Sequence, residues 1–214
     1  MRSIANILVF TGGLIKALGA SAASILVAVH TSDGQPLPGA VLTIHTLTGP
    51  ERPVTPVNAV MDQVNRAFVP DVLVVPAGSS IEFPNTDSVS HQIYSFSPAK
   101  KFHLPLYRGK PYPPVHFDQA GLVTLGCNIH DSMLAFVLVT DAPYFGYTDR
   151  AGSWSVEVPR GTYRLTVWHP RMTEGAELER EITIGDTDRA ALSLRLAKPL
   201  QPASLENRHS WDTY

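Results

Sequence analysis

The 214-residue chain has the composition of a folded protein, with 44% hydrophobic and 17% charged residues. Its formal net charge of -2 argues against nucleic acid as the main partner. Its 18 prolines and 15 glycines are spread among short Val, Ile, Leu and Thr runs. This pattern predicts many short strands joined by turns, and therefore an all-β fold.

The first residues have the features of an export signal. Arg2 precedes an apolar run from Ile4 to Ile15, and Ala20-Ser21-Ala22 has the small residues of a cleavage site. We therefore predict a signal peptide over residues 1–22, cleavage near Ala22 and a periplasmic location. The run is too short to span a bilayer on its own, and no later segment approaches that length, so we expect no membrane span after cleavage. An uncleaved anchor is the alternative.

Two predicted strands, Ile25 to His30 and Ala40 to Thr46, flank a segment that contains Asp33-Gly34 and Pro38-Gly39. Both dipeptides are typical of turns, so we expect an N-terminal hairpin. A proline-rich linker follows over residues 47–59. The Pro36-Leu37-Pro38-Gly39-Ala40-Val41 stretch resembles the opening of carboxypeptidase-regulatory-like β-sandwich modules.

The continuation of that module pattern comes about a hundred residues later, as Thr148-Asp149-x-x-Gly152 and Pro159-x-Gly161-x-Tyr163. The resemblance implies a small β-sandwich in two pieces, residues 23–56 (hairpin plus linker) and 142–198, with a separate module at 57–141 between them. The alternative is one continuous all-β domain with an N-terminal extension. Residues 199–214 show no periodicity, and we expect a loose tail.

Within the central module, short apolar runs are bounded by turn-forming residues such as Pro70-Asp71 and Ala77-Gly78. They predict strands at Met61–Arg66, Val72–Val75, Ser80–Phe83, Gln92–Phe96, Val115–Phe117, Gly121–Gly126 and Ala135–Thr140. Two more strands are predicted in the C-terminal part, at Glu181–Ile184 and Ala191–Leu196. The segment from Ser97 to Val115 is expected to be a long loop.

The cysteine of the chain, Cys127, is followed at three-residue steps by His130 and Met133. A thiolate, an imidazole and a thioether form a soft ligand set that suits copper better than magnesium, calcium or manganese. In an exported protein a single cysteine cannot form an internal disulfide, which favours a ligand role. A further histidine is needed, and His91, after the turn-forming Asn85-Thr86-Asp87-Ser88 run, is the best candidate.

This ordered His…Cys-x₂-His-x₂-Met pattern resembles that of the cupredoxins, and its short loop is similar to that of amicyanin. The resemblance implies a Greek-key β-sandwich with one type 1 (blue) copper ion. His91, Cys127 and His130 would be the equatorial ligands and Met133 the axial one. It also implies a one-electron carrier rather than an enzyme. Relatives with this two-part layout are often labelled methylamine utilisation proteins, so a c-type cytochrome or a quinoprotein dehydrogenase is a possible redox partner.

Other interpretations of the same residues remain open. Taken singly, Cys127, His130 and Met133 would be a small buried hydrophobe, a loop histidine and a core filler. The protein could also be a periplasmic copper-binding or storage module without redox turnover, or a structural β-sandwich protein.

Several residues near the predicted site are candidates for tuning the copper ion or binding a partner. Gln92 stands where related proteins often have a bracing asparagine. Asp131 puts a carboxylate beside His130, where it would lower the reduction potential or simply be solvated. The long loop is basic, and it is either a docking surface for an acidic partner or a solvated loop; its basic residues are Lys100, Lys101, Arg108 and Lys110. The remaining histidines have no partner spacing for a second metal site.

Overall fold

The computed structural model describes residues 22–109, 111–173, 175–185 and 189–202. The all-β prediction is confirmed, because these residues form strands, turns and loops and contain no helix. It follows that the described part of the chain has no helix long and apolar enough to cross a membrane. Residues 1–21 of the predicted signal peptide, Lys110, Glu174 and residues 186–188 and 203–214 lie outside the described residues.

Seventeen strands are formed in the described residues. In chain order they are β1 Ala22–His30, β2 Val41–Thr48, β3 Asn58–Val60, β4 Asp62–Val64, β5 Ala67–Val69, β6 Val72–Pro76, β7 Ser79–Glu82, β8 His91–Ser95, β9 Phe102–Tyr107, β10 Val115–Phe117, β11 Gly121–Gly126, β12 Leu134–Thr140, β13 Tyr144–Tyr147, β14 Ser153–Pro159, β15 Gly161–Trp168, β16 Leu178–Ile184 and β17 Arg189–Arg195.

The first two strands and the last five form one β-sandwich, which we call the flanking sandwich. One sheet has the order β14-β1-β17, and the facing sheet has the order β13-β2-β15-β16. Alternate residues of β1, namely Ile25, Val27 and Val29, are fully buried between the two sheets. This period of two is what a strand with one covered face requires.

The N-terminal hairpin that we predicted is not formed. Strand β1 pairs with β14 and β17, whereas β2 pairs with β13 and β15, so the two strands lie in different sheets. The connection is long enough to cross the core, and Leu37 in it is buried while its N–H donates to the carbonyl of Val29. Both strands are central in their sheets, so each takes its neighbours from the C-terminal part of the chain.

Strands β3 to β12 form the central sandwich. Its larger sheet has the order β6-β12-β11-β8-β9, and a three-stranded sheet of order β10-β7-β3 faces it. The β4–β5 hairpin is attached at one side. The core contains Phe83, Ile93, Phe117 and Leu125, together with Cys127 and Met133. Two of the site residues therefore belong to the core of this sandwich.

The two sandwiches meet at an apolar interface. Val72 and Val74 of the larger central sheet pack with Val41 and Trp168 of the flanking sandwich. The Trp168 ring meets the Phe136 ring edge to face at 5.5 Å. This contact covers part of the outer face of the larger central sheet.

Two segments differ from their predicted conformation. The predicted loop from Ser97 to Val115 contains strand β9, which pairs with β8 at the edge of the sheet. The first residues of the predicted loose tail are anchored, since Gln201 exchanges backbone and side-chain hydrogen bonds with Arg171. Both segments lack a clear apolar alternation, which explains why the sequence pattern did not reveal them.

Candidate metal centre

The candidate metal centre lies where β8 begins and where β11 ends. Strand β11 pairs with both β8 and β12, so its end carries Cys127 to a position beside the start of β8, where His91 stands. The Cys127–Met133 segment connects β11 to β12, and a hydrogen bond from the Met133 N–H to the His130 carbonyl (2.9 Å) closes it. The local sequence thus places three of the predicted ligands in one short loop.

His91, Cys127 and His130 converge. One ligand atom from each of them lies within 4.8 Å of the others, and this is the one such cluster of His, Cys, Asp and Glu among the described residues. Nδ1 of His91 is 3.9 Å from Sγ of Cys127. The imidazole rings of His91 and His130 are 5.0 Å apart.

These distances fit one shared first-row metal ion. Bonds of about 2.0 Å to nitrogen and 2.3 Å to sulfur at a trigonal angle place the two atoms about 3.7 Å apart. The Nδ1 of His130 is buried and has no hydrogen-bond partner. An orphaned buried nitrogen carries a free-energy cost that a metal bond would remove, so the site residues fit a bound ion.

Burial differs among the site residues. His91 is fully buried, and Cys127 and Met133 are each 2% exposed, whereas His130 is half-buried. Cys127 is a free, buried thiol. Met133 belongs to the same core cluster as Cys127. The half-buried His130 is thus the most exposed of the four predicted ligands.

A carboxylate that the sequence analysis did not single out contacts the site. Oδ2 of Asp87 is 2.9 Å from Nε2 of His91, and the Asp87 side chain is only 6% exposed. Burial raises the pKa of Asp87, but hydrogen bonds from His91 and from the backbone N–H groups of Arg66 and Ser88 outweigh it and lower the pKa to about 2. The turn-forming composition around Asp87 gave no sign that its side chain would point inward.

A buried polar network lies beside the segment that leads to His91. Tyr107, which is opposite His91 in the β8–β9 pairing, donates a hydrogen bond to the Phe83 carbonyl and accepts one from the Gln63 amide, both at 2.5 Å. Burial raises the pKa of Tyr107 to about 12, so its phenol stays protonated. Asn85 donates to the carbonyls of Tyr107 and Val89. These bonds fix the backbone that leads to His91.

The other residues near the site are more exposed. Asp131 is exposed in the ligand loop, and Gln92 is half-buried at a bulge in the β8–β9 pairing. Lys100 is half-buried, and Lys101 and Arg108 are exposed. The structure leaves the expected roles of these residues as predictions.

Comparison with known proteins found similar solved structures but no relatives by sequence. No protein-family model and no curated protein matches the chain. The chain resembles cupredoxins of known structure. A purple cupredoxin from Nitrosopumilus maritimus is 23% identical, with a TM-score of 0.35 over 38% of this chain and 99% of that protein. An amicyanin variant in its reduced Cu(I) form is 18% identical, with a TM-score of 0.35 over 46% of this chain and 98% of its own.

An enzyme is also among the similar structures. The copper-containing nitrite reductase from Thermus scotoductus is 22% identical, with a TM-score of 0.37, over 45% of this chain and 25% of the reductase. Each of these similarities is low and covers less than half of this chain. The case for a metal site therefore rests on the geometry of the side chains in this structure.

Proposed function

We propose that this protein is an exported type 1 copper protein that carries one electron at a time. In this proposal His91, Cys127 and His130 are the equatorial ligands of one copper ion, and Met133 is the axial ligand. The observation that carries it is the convergence of two imidazoles and the Cys127 thiol at the end of a β-sheet. A trigonal His₂Cys set with a weak axial methionine is the arrangement of blue-copper electron-transfer centres.

The residues of the chain favour electron transfer over simple storage. Cys127 and Met133 belong to a packed core, and His91 is held by a hydrogen bond on its far nitrogen, so these groups have little freedom to rearrange. Copper would supply exchange between its Cu(I) and Cu(II) states. A site that cannot rearrange serves both states with similar geometry, which is what a carrier needs.

We further propose a route and a partner. His130 is the half-buried ligand, and we infer that its imidazole edge is the electron port. Tyr94, Phe96 and Leu134 line one shallow depression beside Gly126, and Phe96 is 78% exposed. Lys100 and Lys101 follow in the next turn. An apolar surface followed in the chain by two lysines suits an acidic redox protein, such as a c-type cytochrome or a quinoprotein dehydrogenase of the methylamine-utilisation type.

We also infer that residues 57–141 form a cupredoxin domain inserted into a regulatory-like sandwich built from residues 23–56 and 142–198. The pairing of β1 with β14 and β17, and of β2 with β13 and β15, supports this division. Export to the periplasm is inferred from Arg2, the apolar run and Ala20-Ser21-Ala22.

An electrochemical titration of the copper-loaded protein tests the carrier function against storage. A carrier gives a reversible one-electron couple, keeps one copper per chain in both oxidation states and exchanges electrons with its partner over many cycles. A storage protein would bind copper and fail to cycle. A chain that binds no copper would reject both functions and leave the structural interpretation.

A further inference from the structure

Behind the proposed ligand His91 lies a buried carboxylate with no assigned role. We propose that Asp87 is a positioning residue for the metal centre: it orients His91 with Nδ1 facing the metal, and its charge favours the more positive oxidation state. The proposal rests on the function proposed above. It concerns a pair of side chains of which one is 0% and the other 6% exposed, joined at 2.9 Å.

The hydrogen bond to Asp87 determines the tautomer of His91. An ionised carboxylate accepts hydrogen bonds and donates none, so Nε2 of His91 must carry the proton that Oδ2 of Asp87 accepts. The neutral ring then has its lone pair on Nδ1, the nitrogen that faces Sγ of Cys127 at 3.9 Å. Asp87 thus presets the form of His91 that can bind a metal. A carboxylate bonded to a ligating histidine both orients the ring and makes it a stronger ligand.

The Asp87 carboxylate is itself held by hydrogen bonds on both oxygens. Oδ2 also accepts the Arg66 N–H at 2.7 Å, and Oδ1 accepts the Ser88 N–H at 2.6 Å. The Asp87 N–H in turn donates to Oδ1 of Asn85 at 3.1 Å. Because both oxygens accept hydrogen bonds, the Asp87 side chain is held in one orientation, in which Oδ2 faces His91.

The β4–β5 hairpin supplies the Arg66 N–H that holds Asp87. Its turn residues Asn65 and Arg66 have φ of 51° and 61°, in the left-handed region that non-glycine residues rarely adopt. Such strain persists where the surroundings impose it, often next to a functional site. Asp62 of the same hairpin accepts hydrogen bonds from the Thr86 N–H and hydroxyl. The hairpin therefore clamps the Thr86–Asp87 segment against His91.

The charge of Asp87 also acts on the bound ion electrostatically. Asp87 is shielded from solvent, so salt screens its charge far less than that of an exposed acid such as Asp131. A negative charge one imidazole away from the ion stabilises Cu(II) more than Cu(I). Loss of that charge should weaken Cu(II) binding preferentially and raise the reduction potential.

The test compares Asp87→Asn with Asp131→Asn, which removes an exposed acid from the ligand loop. Asparagine keeps the size of Asp87 and an oxygen that can accept the Nε2–H, but it removes the charge. We expect Asp87→Asn to lower Cu(II) affinity about 10- to 100-fold, as for other partners of ligating histidines. A tenfold preferential loss of Cu(II) corresponds to a rise of about 59 mV in the potential of a one-electron couple. Asp131→Asn should change both quantities less.

A second measurement keeps the proposal testable if Asp87→Asn folds poorly. In the copper-free wild type, where no metal imposes the tautomer, ¹H–¹⁵N correlation spectra should show a proton on Nε2 of His91 and none on Nδ1. A proton on Nδ1 of the copper-free protein, or a folded Asp87→Asn variant that matches Asp131→Asn in Cu(II) affinity and potential, overturns the role of Asp87 while the copper centre stands. A wild type without a type 1 spectrum would instead reject the proposed function.

Discussion

A buried histidine in the flanking sandwich makes the stability of this protein depend on pH. His169 directly follows β15 and is 3% exposed. Burial, and then the charge of Arg171, lower its pKa from the usual 6.5 to about 4. Its Nδ1 accepts the Arg171 N–H at 3.1 Å, a bond that the protonated ring could not make. Replacement of His169 by asparagine keeps an acceptor there and removes the titration.

The direction of this pH dependence follows from whether the folded or the unfolded chain binds the proton. Between pH 6.5 and pH 4 the unfolded chain protonates this histidine and the folded chain does not, so stability is full above pH 6.5 and falls as the pH drops towards 4. The pKa difference of about 2.5 units, at 1.36 kcal/mol per unit, corresponds to roughly 3 kcal/mol lost by pH 4. Below about pH 4 the wild type should lose little more through this residue.

Urea unfolding at pH 7 and pH 4, followed by the fluorescence of Trp154 and Trp168 in the flanking sandwich, measures this effect. The wild type should lose about 3 kcal/mol more than His169→Asn over that interval. His103→Asn, which removes an exposed histidine of β9, should behave as the wild type. Equal losses in the wild type and in His169→Asn would refute the reasoning.

Two further predictions concern the centre and its partner. Met133→Leu should keep the colour of the copper protein and raise its reduction potential, because the axial thioether is a weak ligand. His91→Ala should lose the type 1 spectrum. If copper binding survives His91→Ala but not Met133→Leu, the ligand assignment is wrong. Reversal of Lys100 and Lys101 to Glu should slow association with an acidic partner without changing the copper spectrum, and the wild-type rate should fall with salt, since exposed charges are screened beyond about 10 Å at 0.1 M. A salt-independent rate, unchanged by the reversal, would leave these lysines as solvated surface.

Strands with a regular alternation were predictable from the sequence. The bounds of β10 and β11 match the predicted ranges, and those of β12 differ by one residue. Strand β9 was missed because Pro105 and exposed residues interrupt its pattern, and an edge strand tolerates both. The predicted hairpin was wrong for a different reason: turn-forming residues at 33–39 show that the chain reverses, but not that the strands on either side share a sheet.

The identity of the main site residues was predictable from the sequence, but the hydrogen bonds that hold them were not. The three-residue spacing put Cys127 and His130 in one loop, and their convergence with His91 appears in the structure. The role of each as a copper ligand, that of Met133 and the domain boundaries remain predictions. Asp87 escaped notice because an aspartate in a turn-forming run is usually solvated, and only the fold shows that it points at His91.

The central claim is that His91, Cys127 and His130 bind one copper ion as a type 1 centre, and the visible spectrum of the purified protein after addition of Cu(II) tests it most directly. We expect saturation at one copper per chain and an intense visible band from Cys127 thiolate-to-copper charge transfer. The Cys127→Ser variant should fold and lack the band. A colourless wild type with one tightly bound copper, or a band that survives Cys127→Ser, would contradict the claim.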